Sequence, residues 1–220
     1  MGTEERKMRE KERRRDQILD AAERVIFSQG LDQSTMEEIA EEAELSKGTL
    51  YLYFRNKKEL YLGICERGSN LLNGRLAKVF AAERSGLEMV RELGEVYLRF
   101  VRENPHYFTA FMHYESSMNL EELQESEMVA TCEKNVREAM TFIIRALQIG
   151  MQDGTIDDAV EPRELAVIIW GSTKGLVQIS HMKEQGHHFK MMDEMDLNVD
   201  SIYENYLNLI GRAIAAGTGR

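Results

Sequence analysis

Apolar side chains recur in this chain at the period of an α-helix, and that periodicity narrows the possible folds more than any other feature. Ile18, Leu19, Ala22, Val25 and Ile26 follow the spacing i, i+1, i+4, i+7, i+8, which lines one face of a helix. Gly30 stands where such a helix ends. Thr35-Met36-Glu37-Glu38 has the form of a capping box, a Thr cap with Glu three residues on. It opens a short second helix whose apolar face is Met36, Ile39, Ala40 and Ala43. Ser46 is a good N-cap for a third short helix through Phe54, from which Leu50 and Phe54 point to the core. A long helix carrying two short ones across a three-residue connection is the layout of a helix-turn-helix, an outline that small helical bundles share.

From Asn56 onward the same period predicts helices at about 57–82, 86–103, 105–116, 119–151, 162–184 and 199–216. Breaks are expected at Gly86, Asn104-Pro105, Met118-Asn119, Asp153-Gly154 and across residues 186–196. No alternating strand of useful length appears, and only two prolines interrupt 220 residues. The fold class is all-α.

Composition bounds the function. The longest unbroken apolar run, Leu165 to Trp170, is far shorter than the roughly 20 residues of a membrane span. The first thirty residues are charged, without the form of a secretory signal, so a cytoplasmic location without membrane association is expected. Cys65 and Cys132 stand far apart with no metal-ligand spacing, as reduced thiols do. His187 and His188 lack ligand-spaced partners and suit a solvated loop. No nucleophile–base pair, Gly-rich phosphate loop or metal spacing occurs, so neither catalysis nor a cofactor is expected. The net charge of −10 opposes indiscriminate nucleic-acid binding. Its distribution matters more: residues 6–15 hold seven basic side chains against two acids, while Glu37, Glu38, Glu41, Glu42 and Glu44 concentrate acid on the second helix. DNA binding therefore requires a small local basic surface.

Within residues 15–62 the pattern becomes specific. Ile18-Leu19-Asp20-Ala21-Ala22, Phe27, Gly30 and Ser34-Thr35-Met36-Glu37-Glu38-Ile39-Ala40 are followed by Ser46-Lys47-Gly48-Thr49-Leu50-Tyr51-Leu52-Tyr53-Phe54 and Asn56-Lys57-Lys58-Glu59-Leu60. This stretch resembles the DNA-binding domain of the TetR (tetracycline repressor) family. Beyond it the likeness is one of helix count, length and order. The resemblance implies a helix-turn-helix domain with a basic N-terminal arm over residues 1–56, and a larger helical bundle for ligand binding and dimerisation over 57–220. One position departs from the family pattern: Glu44 follows Ala43 where a glycine is usual, at a turn that suits positive φ, so a modest strain is expected.

The resemblance also implies roles. The third helix, opened by Ser46, enters the major groove, with Lys47 donating to guanine and the Thr49 methyl meeting a thymine methyl. Gly48 lets the backbone approach the duplex. Thr35, Tyr51, Tyr53 and Lys57 fall where the family contacts phosphate, the two tyrosines having packing as their alternative. Glu37 either accepts from cytosine N4 or is an exposed first-turn acid. The Arg13-Arg14-Arg15 run, Arg15 above all, either reaches an adjacent minor groove or phosphates or serves as a solubilising tail.

In the larger domain Tyr97, Phe108, Met112, Phe142 and Trp170 are core residues or line an apolar pocket, oriented by His113, Lys174 and Gln178. The resemblance implies a small, apolar effector there. Leu165, Ile168, Gly171, Gly175 and Ile179, with Tyr206, Leu209, Ile210 and Ala213, match the family's dimer helices. A homodimer implies a palindromic operator in double-stranded DNA. The function implied is a ligand-responsive regulator, a repressor released by its effector. The rival readings are a helical binding domain or enzyme using the helix-turn-helix as scaffold, and an activator or nucleoid-type binder.

Overall fold

The computed structural model describes residues 2–117, 127–184, 194–195 and 198–217. Among them the chain forms nine α-helices: α1 (Thr3–Gln29), α2 (Met36–Glu42), α3 (Lys47–Tyr51), α4 (Lys57–Ala77), α5 (Gly86–Glu103), α6 (Pro105–Ser117), α7 (Glu127–Gln152), α8 (Pro162–Glu184) and α9 (Val199–Ile214). A 3-10 turn, Lys78–Ala81, follows α4. The all-α class is the class observed; the one β-type pairing among the described residues is an isolated antiparallel bridge between Ile156 and Ala215. The breaks expected at Met118-Asn119 and, for the most part, across 186–196 lie outside the described residues, as do His187 and His188.

The chain divides into two compact units, residues 1–70 with 105–134 and residues 71–104 with 135–220. In the first, Ile18, Leu19, Ala22 and Ile26 of α1 bury against Ile39 and Ala40 of α2, Leu50 of α3, Phe54 and the Leu60, Ile64 and Cys65 face of α4. Each of the isoleucine, leucine and phenylalanine side chains contributes roughly 1.5–3 kcal/mol when fully buried. The predicted caps form. Thr35 accepts from the Glu38 amide while the Glu38 carboxylate accepts from the Thr35 amide, and Ser46 accepts from the Thr49 amide.

The turn between α2 and α3 is a Schellman closure. The Leu45 amide donates to Ala40 O and the Glu44 amide to Glu41 O, both at 2.9 Å. Its left-handed position is Glu44, at φ 55°, the one non-glycine residue with positive φ among those described. The position expected to want glycine thus adopts the conformation that favours it.

The basic N-terminal segment is helical rather than an extended arm, since α1 runs unbroken from Thr3. Residues 3–15 hold no Gly or Pro and are rich in Glu, Lys and Arg, good helix formers that propagate a helix already nucleated by the packed half.

In the second unit Ser85 and Glu88 form another capping box at the start of α5. Met89, Val90, Leu93, Val96 and Phe100 turn the buried face of α5 to the core shared with Ala146 and Leu147 of α7, Ala166, Ile169 and Val177 of α8 and Tyr203 of α9. Glycine is required at the start of α5, because a Cβ on Gly86 would lie 1.9 Å from the Gly150 amide nitrogen.

Candidate nucleic-acid interface and apolar cavity

The first site is built on α2 and α3. Leu50 and Phe54 are completely buried and anchor α3, so the opposite side stands in solvent. Ser46, Lys47 and Gly48 are exposed, Thr49 is half-buried, Tyr51 is exposed and Tyr53 half-buried. Ser46 is committed to its cap and shares a hydroxyl contact with Thr49 at 2.8 Å.

The ammonium of Lys47 donates to the Glu37 carboxylate at 2.7 Å. That hydrogen bond, with the Glu37 backbone amide and the lysine charge, holds the Glu37 carboxyl below its ordinary value. Both partners are more than half exposed, and pairs of this kind contribute little to stability. The two residues with opposite expected DNA preferences are therefore neighbours on one surface.

Three further residues carry structural contacts: Lys57 and Arg15 make ones that local sequence reasoning did not supply, and Thr35 makes those of its predicted cap. Lys57 points its ammonium at the carbonyl oxygens of Leu31, Asp32 and Ser34, at 2.6, 3.2 and 2.8 Å, and so closes the loop between α1 and α2. Three carbonyl dipoles offset the unfavourable placing of a cation at a helix N-terminus. Arg15 pairs with Glu66 and lies over the Phe54 ring at 5.6 Å. Thr35 donates its hydroxyl to Glu38 at 2.9 Å and accepts from the amide of the same residue.

Leu52, at the end of α3, is 82% exposed and was not singled out from sequence. The pattern of i, i+4 core positions leaves it on the outer face, which was the available signal.

The second unit holds an apolar cavity of about 90 Å³. Its walls come from α4 (Leu72, Leu76), α5 (Val90, Leu93, Gly94, Tyr97), α7 (Ala139, Ile143) and α8 (Ile169, Trp170, Thr173). Of the eight expected pocket residues, Tyr97 and Trp170 line it. Lys174 places its ammonium 5.1 Å from the centre of the Trp170 ring. Phe142 packs instead on Phe80, and Gln178 is exposed. Phe108, Met112 and His113 belong to the first unit, where His113 meets Tyr61 edge-on at 5.3 Å. The aliphatic wall was not legible in the sequence, because core and cavity-lining leucines share one helical period.

The expected dimer positions divide by exposure. Ile168 is 58% exposed, Ile179 40% and Leu209 65%, joined by Val167 at 56%. Gly171 is exposed and Gly175 half-buried, with open space where either would carry a Cβ; Ala213 is exposed. Leu165 and Ile210 are half-buried. Tyr206 faces α8, its hydroxyl within 2.6 and 2.9 Å of the Ser172 and Thr173 hydroxyls and donating to Ile169 O at 3.1 Å. It ties α9 to α8.

Residues 18–64 match the model of bacterial regulatory proteins, tetR family. An HTH-type transcriptional regulator of Haemophilus influenzae is 32% identical over 108 residues, 49% of this chain and 58% of that protein. The chain thus spans little more than half the length of this curated relative. The fold is also that of FadR from Bacillus subtilis in complex with stearoyl-CoA, with TM-score 0.66, 20% identity, and 88% of this chain and 96% of that one covered. AibR in complex with isovaleryl coenzyme A and operator DNA superposes with TM-score 0.64 and 21% identity, covering 89% and 97%. The likeness to the tetR family of bacterial regulatory proteins thus lies in the helix-turn-helix segment, residues 18–64.

Proposed function

We propose that the chain is a ligand-responsive DNA-binding transcriptional regulator, a homodimeric repressor released from a palindromic operator by a small apolar effector. The observation that carries this is the outer face of α3: Lys47, Gly48 and Tyr51 stand exposed on a helix anchored by the buried Leu50 and Phe54. Lys47 offers donors to guanine O6 and N7, while Thr49 and exposed Leu52 offer methyl groups to thymine. Thr35, Ser46, Tyr51, Tyr53 and Lys57 surround it as phosphate contacts, with Arg15 behind them; for Thr35, Lys57 and Arg15 this requires sharing or exchanging the contacts described above. Base contact requires Lys47 to leave Glu37, at little cost for so exposed a pair.

The uncovered apolar face of α8 and α9 is the proposed dimer surface, bringing two α3 helices to successive major grooves. The cavity beside Tyr97 and Trp170 is the proposed effector site. Its walls include two hydroxyl-bearing side chains, Thr173 and Tyr97, and are otherwise aliphatic and aromatic, which suits an acyl chain. Relatives of this fold bound to stearoyl-CoA and isovaleryl coenzyme A support acyl thioesters as the first class to test. The effector acts by population shift, favouring a separation of the two DNA-reading domains that no longer fits the operator. Such a protein works in the cytoplasm, as a regulator and not as an enzyme.

The test is selection of bound fragments from sheared genomic DNA, followed by titration with acyl-CoA thioesters of graded chain length. A shared inverted repeat near a promoter, lost with Lys47→Ala or Tyr51→Ala and weakened about 5–150-fold by one thioester, is the expected result. No enriched motif in low salt overturns the assignment; equal operator affinity with and without every thioester overturns the effector class.

A further inference from the structure

The helical extension at the start of α1 is a charge-sorted surface that the DNA-reading helices leave unused. Residues 4–13 are exposed, so no packing holds this stretch, yet it continues the helix that Ile18 and Leu19 anchor. At 3.6 residues per turn, Arg6, Arg9 and Arg13 fall on one stripe and Lys7, Lys11 and Arg14 on the next, with Glu10 between them. Glu5, Glu12 and Asp16 form the neighbouring row beyond Arg9, and Glu4 borders Lys11 on the other flank. Internal pairing neutralises little of this: Arg13 reaches Glu10 at 3.8 Å with both exposed, and Arg14 bonds the neutral Gln17. At the root of the extension Gln17 donates to Ala43 O at 2.7 Å, which sets it beside the turn between α2 and α3.

We propose that this basic helix face binds the phosphates of DNA flanking the base-read site, as a rigid helix rather than a groove-threading arm. The proposal rests on the DNA-binding function above and adds a surface to it. Charge complementarity singles out the occupant: a chain of net charge −10, with an acidic α2, concentrates its cations here. Helix geometry excludes the minor groove, since a helix of about 10–12 Å diameter is wider than a groove of about 6 Å. Met8 is the one large apolar side chain in residues 2–15, so insertion into a bilayer has no apolar face to use. Thirteen helical residues span about 20 Å, and phosphates recur about every 3.4 Å along one strand, so three cations on a stripe can each meet one.

The test compares the full chain with the triple variant Arg6→Gln, Arg9→Gln, Arg13→Gln and the control Glu5→Gln, Glu12→Gln. Affinity is measured against salt on a short duplex covering only the selected operator, on a longer one with flanks, and on a long unrelated duplex. Circular dichroism confirms unchanged helix content. The triple variant is expected to lower the salt slope by about 2–3 on both long duplexes, leave their affinity ratio unchanged, and bind the short duplex nearly as the parent does. The control keeps the parent slope.

An unchanged slope in the triple variant, with the parent still selecting its operator, overturns this proposal alone. A changed ratio between operator and unrelated DNA overturns it too, by making the extension a base reader. A parent that binds no DNA in a salt-dependent way removes the functional assignment and this proposal together. Met8→Pro keeps every charge and breaks the helix; a parent-like slope there overturns the requirement for a rigid face.

Discussion

Replacing Glu44 by glycine isolates the one position among the described residues where a side chain other than glycine sits at positive φ. Glu44 sits at φ 55°, as the left-handed residue of the closure that ends α2. An L-residue with a Cβ costs about 1–2 kcal/mol there relative to the right-handed region. Glycine removes that cost but brings a more flexible unfolded chain, which offsets about 0.5–1 kcal/mol. The net gain expected for Glu44→Gly is about 0.5–1 kcal/mol. In a chain of this size that raises the thermal midpoint by roughly 1–4 °C.

Part of any gain comes from removing a charge beside Glu41 and Glu42, so Glu44→Ala is the necessary partner. Alanine deletes the carboxylate and keeps the Cβ, hence the strain. The two variants are compared by thermal and urea unfolding followed by circular dichroism. A glycine variant no more stable than the alanine one refutes the strain argument, because the Cβ is then not what the turn resists.

A Cβ on Gly86 would meet Gly150 backbone at 1.9 and 2.2 Å, so Gly86→Ala should lower the urea midpoint by the equivalent of about 3 kcal/mol or more. Gly74→Ala, with open space around the new methyl, should be neutral or slightly stabilising; equal effects of the two sink the close-crossing argument. Glu38 and Glu88 titrate below their ordinary value of 4.5, Glu38 chiefly through the Thr35 hydroxyl and Glu88 chiefly through the Ser85 amide. Asp153 lies below 3.8 chiefly through Thr155. The unfolded chain therefore takes up protons first, and this stability is complete above about pH 5 and lost as pH falls through the lowered folded values. Unfolding midpoints from about pH 5 to about pH 3 should decline less steeply in Thr35→Ala, Ser85→Ala protein; equal slopes count against the capping boxes as the cause. Ile168→Glu with Ile179→Glu should sediment as a folded monomer where the parent is expected to sediment as a dimer, and an unchanged dimer would move the interface elsewhere.

The amino-acid sequence by itself determined the features whose causes lie within one or two helical turns. Thr35 with Glu38 and Ser85 with Glu88 act over three residues, and α5 and α8 begin and end where period, caps and breakers place them. The unusual turn at Glu44 was expected only through the resemblance, since a glycine is usual there and glutamate by itself disfavours positive φ. Tertiary structure alone decided which members of an apolar stripe are core, cavity wall or open face. Ala166 and Ile169 are buried while the intervening Val167 and Ile168 are more than half exposed, though all four read as one apolar run. It also decided the partners of Lys57, which caps a loop 23 to 26 residues earlier, and of Arg15, paired with Glu66 across 51 residues. Contacts at such separations depend on how helices pack, and the free energy that selects them belongs to the assembled core rather than to any local segment.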